Sequence, residues 1–135
     1  MTMARFQTYL KDSDVVVTIH RGIDQIGGCI TEISTKTSRV FVDFGQNLPG
    51  CAVPTTPEQD EALVRDIFAQ NVKQHQAVVY THAHEDHVGL FDLIPCYVPQ
   101  YIGVGGQELM LAKYDLLKIA HEQEWKEKKK KSKIL

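Results

Sequence analysis

Residues 80–89 read Tyr80-Thr81-His82-Ala83-His84-Glu85-Asp86-His87-Val88-Gly89. The apolar run Ala77–Tyr80 delivers the chain into this segment and reads as a buried strand. Four candidate metal ligands, His82, His84, Asp86 and His87, then fall within six residues. His82 and His84 stand two apart just past the strand. Alternate side chains of extended backbone point the same way, so both imidazoles can reach one ion. Asp86 and His87 follow once the turn has begun and can face a second ion beside the first. Imidazole and carboxylate donors suit zinc, and also Mn2+ or Fe2+. Gly89 lets the backbone turn closely behind the ligands. The plainer alternative is three histidines in a polar surface loop. Half of the chain's six histidines, joined by an acid directly after an apolar strand, favour the metal reading.

Outward from this segment the pattern is that of a layered α/β (α+β) domain. Val15–Ile19 is a β-branched run that reads as a buried strand, and Arg21–Gly28 is a glycine-rich loop. Cys29–Ile33 and Arg39–Phe44 read as a hairpin joined by the polar stretch Ser34–Ser38. A Gly- and Pro-rich loop from Gly45 ends in a helix start. Thr56 suits the N-cap, Pro57 the first helical position, and Gln59 completes a capping box. Leu63, Ile67, Phe68 and Val72 mark the apolar stripe of that helix. Tyr101–Val104 reads as a last strand, with Gly103, Gly105 and Gly106 forming a strand-to-helix turn. From Gln107 onward Leu109, Ala112, Leu116, Ile119 and Ala120 recur at helical spacing, and Glu122–Lys126 and Glu124–Lys128 are favourable i,i+4 pairs.

With these elements in place, the segment Thr81–Gly89 resembles the HxHxDH signature of the metallo-β-lactamase superfamily. Phe41-Val42-Asp43-Phe44-Gly45 is similar to that family's first motif, an aspartate at a strand end. The resemblance covers roughly Val15 to Val104 in order and spacing. It implies the N-terminal part of an αββα sandwich, with His82 and His84 serving a first zinc and Asp86 and His87 a second. Asp86 would also orient the activated water, and Asp43 would support the ligand loop from behind. His20–Ile33 followed by Val42–Gly45 is similar, within the superfamily, to ribonuclease J and related β-CASP nucleases. The implied activity is metal-dependent hydrolysis, with RNA or DNA phosphodiesters ahead of esters, thioesters or lactams.

The chain departs from the family pattern after His87. A third His on the first metal, a bridging Asp and a final His are expected well downstream. Only His121, Asp92 and Asp115 follow, and the pattern around Asp115 and His121 is helical. The expectation is therefore a single, incomplete domain over residues 1–135, a half whose missing C-terminal part or partner chain completes the fold. A non-catalytic metal-binding or interaction module is the rival class.

Composition supplies the remaining bounds. With 135 residues, 43% hydrophobic and 24% charged, one soluble domain with a substantial core is expected. No apolar run approaches the roughly 20 residues of a bilayer span, and the start lacks a secretory h-region, so no membrane partner is expected. Three widely spaced cysteines, Cys29, Cys51 and Cys96, argue against a disulfide framework and for the cytoplasm. None has a basic partner nearby in sequence, so none is read as a nucleophile. His20 and His75 read as structural or exposed. A net charge of −2 excludes a globally basic nucleic-acid binder. Six lysines between Lys126 and Lys133 nevertheless form a basic tail able to contact RNA phosphates, although a solvated end is the more ordinary reading, and Trp125 beside it reads as closing a helix face.

Overall fold

The computed structural model describes residues 6–115. Six strands form one mixed sheet in chain order: β1 (Phe6–Tyr9), β2 (Val16–Arg21), β3 (Ile30–Ser34), β4 (Ser38–Phe44), β5 (His75–Val79) and β6 (Gln100–Tyr101). β1 to β4 run antiparallel, whereas β4, β5 and β6 are parallel. The parallel step needs a crossover, and α1 (Pro57–Ala69) supplies it. α2 (Glu85–Val88) and a 3-10 turn (Phe91–Leu93) follow β5, and residues 104–115 are helical after β6. No helix of the described residues is long and apolar enough to cross a membrane.

The start of α1 follows its sequence signal. Thr56 accepts from the Gln59 backbone N–H at 3.2 Å, and the Gln59 side chain accepts from the Thr56 N–H at 2.9 Å. Its end differs from the expected stripe. The helix stops at Ala69, Asn71 takes φ 50°, and Val72 lies beyond it, 65% exposed. Arg39 closes this end, its Nη1 donating to the carbonyls of Ile67 and Gln70 at 3.2 and 2.8 Å. A guanidinium there complements the orphan carbonyls and the helix dipole.

The core lies on one face of the sheet. Ile30, Phe41, Phe44, Val78 and Tyr80 pack against Val64, Ile67 and Phe68 of α1 and against Val88, Phe91 and Ile94. Phe41, Phe44 and Phe68 form a ring cluster with centroids 5.1–5.7 Å apart.

Two further expectations are corrected. Tyr101–Val104 is not a strand throughout: β6 has two residues, and the helix begins at 104, with Gly105 and Gly106 in its first turn. The inward face of that helix is Met110 and Tyr114, not Leu109 and Ala112; Leu109 is 68% exposed. Leu116, Ile119, Ala120, the two Glu–Lys pairs, His121, Trp125 and the 126–133 lysines lie outside the described residues.

Candidate functional site

Beyond the carboxyl ends of the parallel strands β4 and β5 the chain brings together Asp43, Thr81, His82, His84, Asp86 and His87. Ligand sites of open α/β sheets favour this end. Asp43 is the hub. It is 4% exposed and holds φ 64°, a left-handed conformation that Asp tolerates better than most residues. Its Oδ1 accepts from the Thr81 N–H at 2.8 Å, and its Oδ2 accepts from the Thr81 hydroxyl at 2.9 Å and from His87 Nδ1 at 2.8 Å.

These contacts fix two tautomers. A carboxylate only accepts, so His87 carries its proton on Nδ1 and turns Nε2 away from Asp43. The single Thr81 hydroxyl proton also goes to Asp43. Thr81 Oγ1 must then accept from His82 Nδ1, 2.9 Å away, which leaves Nε2 of His82 as the lone-pair nitrogen. One buried acid therefore presents two imidazoles in the same state, one directly and one through a threonine. Asp43 was legible in the sequence; Thr81 was not.

The rings lie close together. The His82 centroid is 4.1 Å from that of His87 and 4.6 Å from that of His84. His87 Nε2 faces Asp86 Oδ2 at 3.4 Å. If His87 is neutral with its proton on Nδ1, two lone-pair atoms oppose each other there, and either a proton on Nε2 or a cation between them relieves the arrangement. Two ligands about 2.1 Å from a tetrahedral ion stand about 3.4 Å apart, so this pair has the spacing a chelate requires. Donor type and spacing thus fit a zinc-like ion at Asp86 and His87. Among the described residues, however, no three His, Cys, Asp or Glu side chains converge to close around one ion. The His82 ring lies slightly nearer His87 than His84.

Backbone contacts hold the loop in place. Gly28 N–H donates to the Asp86 carbonyl and Gln46 N–H to the Glu85 carbonyl, both at 2.9 Å. The approach excludes side chains at two glycines. A Cβ on Gly45 would sit 1.8 Å from the Asp86 carbonyl oxygen, and one on Gly27 would sit 2.6 Å from the Asp86 Cβ. Arg21, expected in a loop, is the last residue of β2 and staples both glycine segments. Its Nε donates to the Gly28 carbonyl at 2.9 Å, its Nη2 to the Gly45 carbonyl at 2.6 Å and its Nη1 to Asp60 of α1 at 2.7 Å. A lone arginine in a glycine-rich stretch carries no sequence signal of this role. On the outer side, Lys113 pairs with Glu85 and ties the 104–115 helix to the loop.

The chain matches no family model. It is 34% identical over 117 residues to a protein of Methanosarcina mazei named transcription termination factor FttA, a match that covers 84% of this chain and 17% of that protein. It is 30% identical over 107 residues to the protein of the same name from Thermococcus kodakarensis, covering 74% and 16%. The chain thus spans about a sixth of the length of these relatives. A crystal structure of a protein of unknown function from Enterococcus faecalis V583 superimposes with a TM-score of 0.61 at 24% identity, over 76% of this chain and 28% of that one. That likeness concerns the fold alone.

The other reactive groups stand apart from this chemistry. Burial first, then the Asp43 and Asp86 carboxylates, raises the pKa of the Cys29 thiol. Such a thiol stays protonated at neutral pH and is a poor nucleophile. His20 is buried and bonded to Glu32 at 3.0 Å, a structural role, while His75 is exposed at the start of β5. Asp115 is an exposed helical residue. A cavity of about 380 Å³ between α1 and the sheet, lined by His20, Glu32 and Arg39 among others, shares no residue with the histidine loop.

Proposed function

We propose that this chain carries the HxHxDH half of a metallo-β-lactamase-type hydrolase centre whose substrate is a nucleic-acid phosphodiester. The observation that carries the reading is the Asp86–His87 pair. Asp43 holds His87 through Nδ1, and His87 Nε2 stands 3.4 Å from an Asp86 carboxylate oxygen, the spacing of two ligands on one ion. His87 and Asp86 would hold one zinc, with Mn2+ or Fe2+ as substitutes; His82 and His84 supply donors for a second. Bound zinc supplies Lewis-acid polarisation and a water of lowered pKa. Asp43 keeps both imidazoles in the ligating tautomer throughout, and Asp86 is placed to accept a hydrogen bond from the attacking water. The glycine cradle excludes solvent from the back of the loop. Likeness to proteins named for transcription termination favours RNA or DNA over esters, thioesters or lactams. The remaining ligands come, on this reading, from further polypeptide or a partner chain, which makes 1–135 one half of the domain.

Zinc titration of the 135-residue chain against a chromophoric chelator tests the reading. One zinc is expected per chain, held weakly, with cleavage of single-stranded RNA or a small phosphodiester at background. Asp86→Ala and His87→Ala should each abolish the binding while far-UV circular dichroism is retained. A folded chain that binds no zinc would overturn the proposal. Two tightly held metals, with turnover lost in His84→Ala, would overturn the half-site reading and make the chain a complete enzyme.

A further inference from the structure

The cavity of about 380 Å³ between α1 and the sheet is walled by residues between His20 and Asn71. Glu32 pairs directly with Phe41 of the core, so the cavity lies on the helix-bearing side of the sheet. A further layer packed on the opposite face leaves it untouched. Its volume is that of a small-molecule site. Val53, Pro54, Leu63 and Ile67 make its walls apolar, and Asp66 stands exposed at the rim.

The floor holds an unused acceptor. Glu32 is 3% exposed; its Oε1 accepts from His20 Nε2 at 3.0 Å and faces Arg39 Nη1 at 3.7 Å. Its Oε2 has no partner among the described residues. A buried carboxylate oxygen without a donor is costly, and a donor brought by a ligand removes that cost. Arg39 spends its donors elsewhere: Nε on Gln76 at 2.6 Å, Nη1 on the Ile67 and Gln70 carbonyls, with Nη2 buried. A second acid stands where a helix disfavours one. Asp66 lies in the last turn of α1, which carries no basic residue, and it joins none of the ion pairs among the described residues. The negative end of the helix dipole repels a carboxylate there and attracts a cation.

We infer that the cavity binds a short aliphatic diamine, with one ammonium on Glu32 Oε2 at the floor and the other on Asp66 at the rim. Ammonium–carboxylate hydrogen bonds are charge-assisted, and the apolar walls take the methylene stem out of water. A metal ion would leave those walls unused. A phosphate or carboxylate would meet two acids and no free cation, since Arg39 is the single Lys or Arg among the described lining residues. The inference does not rest on the metal reading.

The test is an NMR titration of the nitrogen-15-labelled 135-residue chain with 1,4-diaminobutane. Saturable shifts are expected at the amides of Glu32 and of residues 62–67, with a dissociation constant of about 1 mM or below. n-Butylamine, the same stem with one ammonium, should bind about three- to fivefold more weakly, the worth of an exposed ion pair. Asp66→Asn should lower the diamine to the affinity of the monoamine. Glu58→Gln removes the same charge from an exposed position of α1 outside the cavity and should change nothing. Glu32→Gln should weaken binding at least about tenfold. Because that change also disturbs His20 and Arg39, Ala62→Phe provides the second variant: it fills the cavity from α1 and should abolish binding in a folded chain. No saturable shift with the diamine, or an affinity that Asp66→Asn or Ala62→Phe retains, would overturn the inference. So would a loss that Glu58→Gln shares, which marks general charge screening in place of a site.

Discussion

Replacing Asp43 probes the site and the fold together, and two substitutions separate them. Asp43→Ala removes every acceptor at the hub. The Thr81 N–H, the Thr81 hydroxyl and the His87 Nδ1–H lose their partner at a position only 4% exposed. These bonds are only part-buried and Thr81 itself is exposed, so water can partly replace the lost acceptor and each costs about 0.5–1 kcal/mol, while alanine at φ 64° adds about 1 kcal/mol more. A loss of about 2–3 kcal/mol in urea denaturation follows, a sizeable share of a small domain's stability. Asp43→Asn keeps the left-handed backbone and one acceptor for the Thr81 N–H. Its amide nitrogen must then face His87 Nδ1, a donor against a donor. The imidazole answers by moving its proton to Nε2, which removes the lone pair facing Asp86. The asparagine variant should therefore lose only about 1–2 kcal/mol yet bind zinc 10–100-fold more weakly, the usual cost of removing a group that orients a ligand. Nitrogen-15 shifts of His87 report the tautomer directly. An asparagine variant with unchanged zinc affinity and the Nδ1–H tautomer would refute the orienting role of Asp43. An alanine variant as stable as the parent would refute the hydrogen-bond geometry itself.

The remaining expectations are simpler. Gly45→Ala should cost about 3 kcal/mol or prevent folding, since its Cβ has no room beside the Asp86 carbonyl, while Gly105→Ala, with nothing within 4 Å and a helical backbone, should gain about 0.5–1 kcal/mol; equal effects in thermal melts would contradict the cradle. Burial first, then Asp43, Asp92 and Tyr114, raises the Tyr80 hydroxyl well above the usual tyrosine range. The folded state thus keeps a proton that the unfolded chain sheds above about pH 10, so stability should fall by up to about 1.4 kcal/mol per pH unit beyond that point. Tyr80→Phe, although it loses the bond to Gln100, should flatten that slope by one proton, and equal slopes in the two proteins would exclude Tyr80 as the source. Neutralising Lys128 to Lys131 should leave zinc binding unchanged and reduce the salt slope of single-stranded RNA affinity by about 0.7 for each phosphate no longer neutralised; an identical slope removes the tail from RNA binding.

What the sequence disclosed depended on whether the signal was local. Thr56, Pro57 and Gln59 act within one turn of each other, and the helix start they encode is the one observed. The β-branched runs disclosed β2 to β5 to within a residue or two at each end because strand alternation is also local. Tertiary packing decided the rest. Val72 fits the α1 stripe by period, but Asn71 turns the chain before that period can be used. Leu109 and Ala112 fit a helical stripe too, yet the 104–115 helix docks through Met110 and Tyr114, where Tyr114 meets the Phe91 ring at 5.5 Å. At the site, the ligand types and their spacing were legible, as was the acid at the end of β4. The Thr81 relay and the Arg21 staple were not. Both depend on contacts between residues 24 to 39 positions apart, made through atoms that carry no pattern in the chain.

The placement of Arg21 explains why so short a loop can be held so firmly. α2 has only four residues and could not hold its shape alone, because a single turn fixes more dihedral angles than it gains hydrogen bonds. Order must be imported. The Glu85 and Asp86 carbonyls are fixed by N–H groups of Gln46 and Gly28, which belong to two irregular segments beyond β4 and before β3. Those segments have no ladder of their own, so their carbonyls at Gly28 and Gly45 are bound by one guanidinium, itself anchored to Asp60 in the first turn of α1. Thr55 donates to the same Asp60 oxygen at 2.8 Å, which locks the anchor to the helix start. Rigidity therefore runs from α1 through Asp60 and Arg21 to the glycines, and from them to the backbone of residues 85 and 86. Asp43 and Thr81 orient the imidazoles from the opposite side. The backbone of the loop and the tautomers of its rings are thus set by separate groups, so Arg21 can be perturbed without touching the Asp43 hydrogen bonds, and Asp43 without touching the staple.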